Sequence, residues 1–257
     1  MRKIKFIFLI IFFCFRFGNS DTKKIKIVAT TTNISSIVKE IAKNKVEVIE
    51  IIPYKSCPGH FDLSIRDFEK ILDADLFIYH GWEVWVKKIL DKTKKNYKVS
   101  VEKNLMLPQT NIVVGKEILE ILCKLKSENK EYFEKNYEEY CNKVNKYVEN
   151  VKQKFKKYSG YKVICSEYQK EFLSWLGFEV VYSYPRQEQL SLKDIRNIFS
   201  FNGEIVFVAD NLQSGPNIAK QIAKDLKTRH IVLTNFVKDD YIKTLKENII
   251  KIEKVLK

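Results

Sequence analysis

One histidine stands in a setting built to hold it. His60 lies in Cys57-Pro-Gly-His-Phe-Asp62, after a β-branched run that ends near Ile52 and just before Ser64 and Asp67, an S-x-x-D signature of a helix start. Pro58-Gly59 fixes the turn in front of it, and Asp62 is near enough in sequence to orient the ring. Glu167 holds the matching place in the second half, within Cys165-Ser-Glu-Tyr-Gln169, and Asp210-Asn-Leu-Gln-Ser-Gly215 and Thr234-Asn-Phe236 follow two further apolar runs. An imidazole, a carboxylate and neutral oxygens can together hold a divalent cation, and a buried carboxylate needs such a partner. His80 could complete the set from the end of another run, and Cys57 and Cys165 would add soft donors. Gln169, Asp210, Asn211 and Gln213 are the remaining residues expected near the site. Each has a plainer reading: a strand-end cap for His80, and packing or a mutual bond for the two cysteines.

The elements that must position these residues alternate regularly. β-branched runs over 25–30, 46–52, 76–80 and 97–101 read as strands, with amphipathic helices over 33–42, 64–72 and 82–90 between them. The same grammar returns with strands over 161–165, 178–182, 204–209 and 230–234 and helices over 168–176, 191–199, 216–226 and 239–256, and Ser191 with Asp194 repeats the capping pair. A βαβ series implies a parallel sheet, and ligands of such sheets bind in loops at the carboxyl ends of the strands. Between the two halves, Phe133, Tyr137, Tyr140, Cys141, Val144, Val148, Val151 and Phe155 keep a helical 3-and-4 spacing with neither Pro nor Gly. A helix over 131–157 would reach roughly 40 Å, enough to cross from one lobe to the other. The fold class is therefore α/β, two Rossmann-like lobes with parallel sheets joined by a long backbone helix. The boundaries fall at 1–20 for a signal peptide, 21–128 and 159–257 for the lobes, and 129–158 for the linking helix.

Composition narrows the function. A chain of 257 residues with 45% hydrophobic and 30% charged content folds around a sizeable core. The net charge of +14 comes from lysines dispersed among carboxylates, with six arginines in total, and this argues against nucleic acid as a partner. Residues 1–20 read as an export signal with cleavage after Ser20, and a lipid anchor on Cys14 is the alternative. The expected location is outside the cytoplasm, periplasmic or attached to the outer face of the cell membrane. Among the remaining cysteines, a Cys123–Cys141 bridge and free buried thiols are both open.

Several segments resemble the zinc- and manganese-binding solute-binding proteins of ABC importers, the cluster A-I type, over essentially the whole mature chain. Ile25-Lys-Ile-Val-Ala-Thr-Thr-Thr32 is similar to the family's opening strand, and 53–62 to its loop bearing the first metal-binding His. Asp73-Ala-Asp-Leu-Phe-Ile-Tyr-His-Gly81 with Glu83 and Trp85 resembles a further family segment, and Ser166-Glu167 falls where manganese-type members carry a Glu ligand. Leu233-Thr-Asn-Phe236 falls where many members carry an Asp ligand, and here it offers Asn235. The second family His is missing, its region reading Leu105-Met-Leu-Pro-Gln109. The resemblance thus implies a divergent branch whose metal set is His60, Glu167 and Asn235, with His80 or water filling the gap.

It implies a transported divalent ion, Zn2+ favoured over Mn2+, an ABC permease and ATPase as partners, and membrane contact through them or through the lipid anchor. His60 and Glu167 should face each other across the cleft between the lobes. One alternative keeps the fold but changes the cargo to a chelated metal or another small molecule, in a wider cleft lined by aromatics such as Phe61, Tyr168 and Tyr184. A surface adhesin is another. No enzyme is expected, because no G-x-S-x-G, G-x-G-x-x-G or P-loop pattern is present.

Overall fold

The computed structural model describes residues 24–99, 104–215 and 217–257. The export segment 1–20 with Cys14, positions 100 and 101 of the expected fourth strand, and Pro216 lie outside these. The first lobe is a parallel sheet of β1 (Ile25–Thr31), β2 (Val46–Ile52), β3 (Leu76–Tyr79) and β4 (Asn96–Lys98), in the order β2-β1-β3-β4. The second repeats it with β5 (Lys162–Ser166), β6 (Glu179–Tyr184), β7 (Phe207–Asn211) and β8 (Arg229–Leu233), in the order β6-β5-β7-β8. Central strands are covered on both faces, so β3 is apolar and buried along its whole length and β1 from Ile27 onward is fully buried.

Helices α1 (Thr32–Ala42) and α2 (Ile65–Asp73) belong to the first lobe. Ser64 caps α2 by accepting from the Asp67 amide at 3.1 Å, as the S-x-x-D spacing requires. Helix α3 (Pro108–Leu125) was not expected from the sequence pattern; its sign was Pro108 at the first helical position. Gly115 lets α3 close on the next helix, since a Cβ there would sit 3.0 Å from the Tyr137 ring. In the second lobe lie α5 (Lys170–Trp175), α6 (Leu192–Phe199), α7 (Ile218–Asp225) and α8 (Tyr241–Leu256), and Ser191 and Asp194 form a reciprocal capping box on α6.

The long helix is present as α4 (Lys130–Phe155), 26 residues continued by one 3-10 turn to Tyr158. Phe133 enters a first-lobe core with Ile34, Ile37 and Leu119, whereas Tyr140, Val144, Val148, Val151 and Phe155 enter a second-lobe core with Phe178 and Phe207. One stiff element of about 39 Å is therefore buried in both lobes and joins them. The helix expected over 82–90 is instead two 3-10 turns, Val86–Lys88 and Leu90–Lys92. Glu83, buried, accepts from the backbone amides of His80 (3.1 Å) and Gly81 (2.7 Å), and Trp85 packs between Phe61 and Phe77. These contacts commit the segment to a turn that a continuous helix could not make.

Candidate functional site: the cleft between the lobes

A cavity of about 610 Å³ opens where the two sheets present their carboxyl ends, and the loop after every strand contributes to it. Asn33 follows β1, Cys57 to Gly59 follow β2, His80 and Trp82 follow β3, and Asn104 and Leu105 follow β4. From the second lobe come Glu167, Tyr168 and Glu171 after β5, Arg186 after β6, Asn211 at the end of β7 with Gln213 and Ser214 after it, and Asn235 and Phe236 after β8. In both sheets the chain fills one side of the first strand and then the other, so neighbouring loops diverge and leave a crevice there.

Of the residues singled out in the sequence, Glu167 lines this cavity as an exposed carboxylate. His60 follows the lining residues Cys57, Pro58 and Gly59 but does not itself line the cavity. The His60 side chain is 65% exposed, and its Nε2 lies 3.6 Å from the Glu188 carboxylate of the second lobe. It thus reaches across the gap between the lobes, but to Glu188. Asp62 is exposed, and among the described residues it makes no hydrogen bond to the His60 ring.

His80 lines the cavity from a buried position. Its Nε2 is 2.8 Å from the Thr31 hydroxyl, its ring stacks on Trp82 at 5.0 Å, and burial pushes its pKa down to about 4 against the opposing pull of Glu83, leaving a neutral imidazole.

Asn235 is a hub. Its Oδ1 accepts from Gln169 Nε2 (2.7 Å) and Asn104 Nδ2 (3.4 Å), its Nδ2 donates to the Tyr168 carbonyl (2.7 Å), and its carbonyl accepts from Asn33 Nδ2 (2.9 Å). Gln169 Nε2 donates a second bond to Asn211 Oδ1, and its own Oε1 is buried without a partner among the described residues. Gln213 donates to the Tyr54 carbonyl of the first lobe (2.6 Å) and to Thr234 Oγ1, and accepts from the Asn235 amide. The amides therefore brace the two lobes against each other, and the side-chain oxygens of Asn235, Asn211, Asn104 and Gln213 already accept hydrogen bonds, whereas that of Gln169 does not.

Asp210 is buried behind the cavity wall. Burial raises its pKa, and the Tyr184 hydroxyl (2.7 Å), the Ala219 amide and His230 (3.3 Å) work against that shift. Tyr184 is buried with it, Phe61 packs on Trp85, and of the three aromatics named from sequence Tyr168 lines the cavity. Cys165 is enclosed in the second-lobe core with its thiol pushed up to about 12 by burial, while Cys57 lines the cavity. Cys57, Cys123, Cys141 and Cys165 are all free, so no Cys123–Cys141 bridge is formed. Among the described residues no group of three or more His, Cys, Asp and Glu side chains is gathered to hold a metal ion.

Sequence reasoning missed Asn33, Asn104, Trp82 and Arg186. Arg186 Nε donates to the Tyr168 hydroxyl at 2.9 Å, its guanidinium stacks 5.1 Å from that ring, and its Nη1 would lie 3.0 Å from a Cβ on Gly59. The Tyr168 phenol is pushed up by burial and by Glu167, and pulled back by Arg186, so all three groups sit together. The scarcity of arginine, six among 46 basic residues, was the available signal for Arg186.

Comparison with known proteins places this architecture. Residues 27–255 match the family described as zinc-uptake complex component A, periplasmic (ZnuA). The chain is 29% identical over 171 residues to the manganese ABC transporter substrate-binding lipoprotein PsaA of Streptococcus pneumoniae, covering 54% of this chain and 55% of that protein. It is 28% identical over 181 residues to the iron ABC transporter substrate-binding lipoprotein MtsA of Streptococcus pyogenes, covering 58% of each. The chain thus spans about half the length of the curated relatives it matches. Its fold is shared with the laminin-binding protein Lmb of Streptococcus agalactiae, described as a bifunctional protein with adhesin and metal-transporting activity (TM-score 0.80, 20% identity, 91% of this chain and 100% of that one). It is shared too with the manganese-bound periplasmic metal-binding protein of Candidatus Liberibacter asiaticus (TM-score 0.78, 18% identity, the same coverage). The family is one of transporter substrate-binding components and not of enzymes. With two parallel four-stranded lobes, one shared helix and a cleft lined from both sides, this chain belongs to the ZnuA family of metal ABC transporter substrate-binding proteins.

Proposed function

We propose that the protein is exported, captures a divalent metal ion in the cleft between its lobes, and delivers it to the permease and ATPase of an ABC importer. The observation that carries this reading is the cavity itself: all eight strands end on it, and residues of both lobes close around it, the geometry that ligand capture between two rigid bodies needs. Membership of the ZnuA family supports metal as the cargo, and the names of the relatives keep manganese and iron in view. The donors we assign are Glu167 and His80 in the cavity wall and His60 next to the lining residue Gly59, with Asn235 joining them once its oxygen releases Gln169 or Asn104. His60 is restrained by an exposed pair with Glu188, a weak interaction in water that a cation can replace. Zinc is favoured over manganese because it accepts four mixed N and O donors and lies above manganese in the divalent affinity order.

Titration of metal-free protein with each ion tests this. Zinc should bind more tightly and stabilise the fold through binding linkage by about 2.7 kcal/mol at one hundred times Kd, which raises the melting temperature. His60→Ala should remove most of that gain. Tighter binding of manganese refutes the preference, and an undiminished zinc effect in His60→Ala refutes the role of His60.

A further inference from the structure

We infer that the cleft takes its divalent ion as a complex with a small organic carboxylate, the carboxylate held by Arg186 and the cation by Glu167. This rests on the reading of the protein as a metal-capturing importer component and names the form in which the metal arrives.

The first observation is size. The cavity of about 610 Å³ falls in the range of small-molecule sites, whereas a single water occupies about 30 Å³ of liquid. A bare ion would need three or four protein donors converging at roughly 2 Å, and among the described residues no group of three acidic, His or Cys side chains is so placed. The amide oxygens do not make up the deficit: those of Asn235 and Gln213 already accept hydrogen bonds that brace the lobes, and the unpartnered oxygen of Gln169 is one donor where three or four are needed. A chelator brings the missing donors with it.

The second observation is the sign of the charge. A cation-only site gains nothing from an arginine in its wall, since the guanidinium stays charged at any working pH and repels the cargo. Arg186 nevertheless lines the cavity and is held rigidly there, its Nε on the Tyr168 hydroxyl, its plane over the Tyr168 ring, and its outer nitrogens against the Gly59 backbone, where a side chain would crowd them. Among the described residues the Nε bond is its one hydrogen bond, so the two Nη groups keep their donors for a ligand. A planar fork with free donors matches a carboxylate in bidentate fashion, and lysine, of which this chain has many, does not offer that geometry. Glu167 stands beside it on the same tyrosine. With Glu171, a second carboxylate of the lining, they present both signs of charge to a single cavity, the complement of a cation carried on a carboxylate.

Calorimetric titration of metal-free protein decides it, with zinc chloride alone, with citrate or L-histidine alone, and with zinc premixed with each. Binding of zinc should be about tenfold tighter with at least one chelator than without, a difference that one charge-assisted contact can supply. Arg186→Gln should bring that ratio to about one, and Arg186→Lys, which keeps the charge and loses the fork, should recover little of it. The inference is overturned if both chelators weaken binding in proportion to the zinc they sequester, if the ratio survives Arg186→Gln, or if a chelator alone binds as tightly as its zinc complex. Tight binding of zinc alone that no chelator improves would sink this inference and leave metal capture standing. No binding of zinc in any form, repeated with manganese, would sink both.

Discussion

Asn33 offers the most direct test of how the lobes are held together. It is the second residue of α1, 4% exposed, and its side chain spans the cleft: Nδ2 donates to the Asn235 carbonyl at 2.9 Å and Oδ1 accepts from the Val237 amide at 2.8 Å. Asn33→Ala deletes both bonds, each worth about 1 kcal/mol net, and leaves the amide of Val237, a residue 1% exposed, without a partner at a cost of about 1–3 kcal/mol. Alanine's better helix propensity returns only a few tenths of a kcal/mol. The balance is a destabilisation of about 3 kcal/mol, which for a chain of this size lowers the melting temperature by roughly 6–12 °C. Thermal and urea melts followed by circular dichroism, without added metal, measure it. A change below about 0.5 kcal/mol, the level of an ordinary surface substitution, would refute the reasoning, because it would mean that the lobes do not hold this contact in solution.

Two further outcomes follow from buried groups. The His80 ring ionises at about 4 in the folded protein against 6.5 in its ordinary state, so between those values the folded chain binds fewer protons than the unfolded one. Its contribution is complete above about pH 6.5 and declines as pH falls toward 4, by ~3 kcal/mol in all. Urea melts of the wild type and His80→Gln across this range should therefore converge at low pH, and parallel curves would exclude a neutral, buried His80. Phe155 is fully buried, 5.8 Å from the Tyr158 ring and 6.1 Å from Phe178, where α4 enters the second lobe. Phe155→Ala should cost about 3–5 kcal/mol by denaturant midpoint, with Val113→Ala, on the exposed face of α3, as a control within about 0.5 kcal/mol; equal effects would show that α4 is not anchored there.

The sequence by itself determined the two lobes, because period-2 and period-3.6 patterns are local and the β1 and β3 runs are apolar enough to be central strands. It determined the long helix as well: no Pro or Gly interrupts Phe133 to Phe155, and the Ser64 and Ser191 caps announced α2 and α6 through contacts three residues apart. It pointed to the loops after the strands, and the cavity opens there, since parallel sheets leave their crevice at those ends. What local pattern could not carry was the direction of each side chain across 100 or 200 residues. His60 turned to Glu188 and Asn235 gave its oxygen to Gln169 and Asn104, although both stand in the expected loops, and Cys165, near the end of β5, pointed into the core. Tertiary packing also replaced the helical spacing of 82–90 by two short turns, because the Glu83 clamp on the His80 and Gly81 amides and the packing of Trp85 on Phe61 and Phe77 outweigh local propensity. Arg186 became part of the site only when β6 was laid beside β5 and brought it over Tyr168 and against Gly59. Which strand ends meet is a property of sheet order and lobe closure, and no stretch of sequence shorter than the fold encodes it.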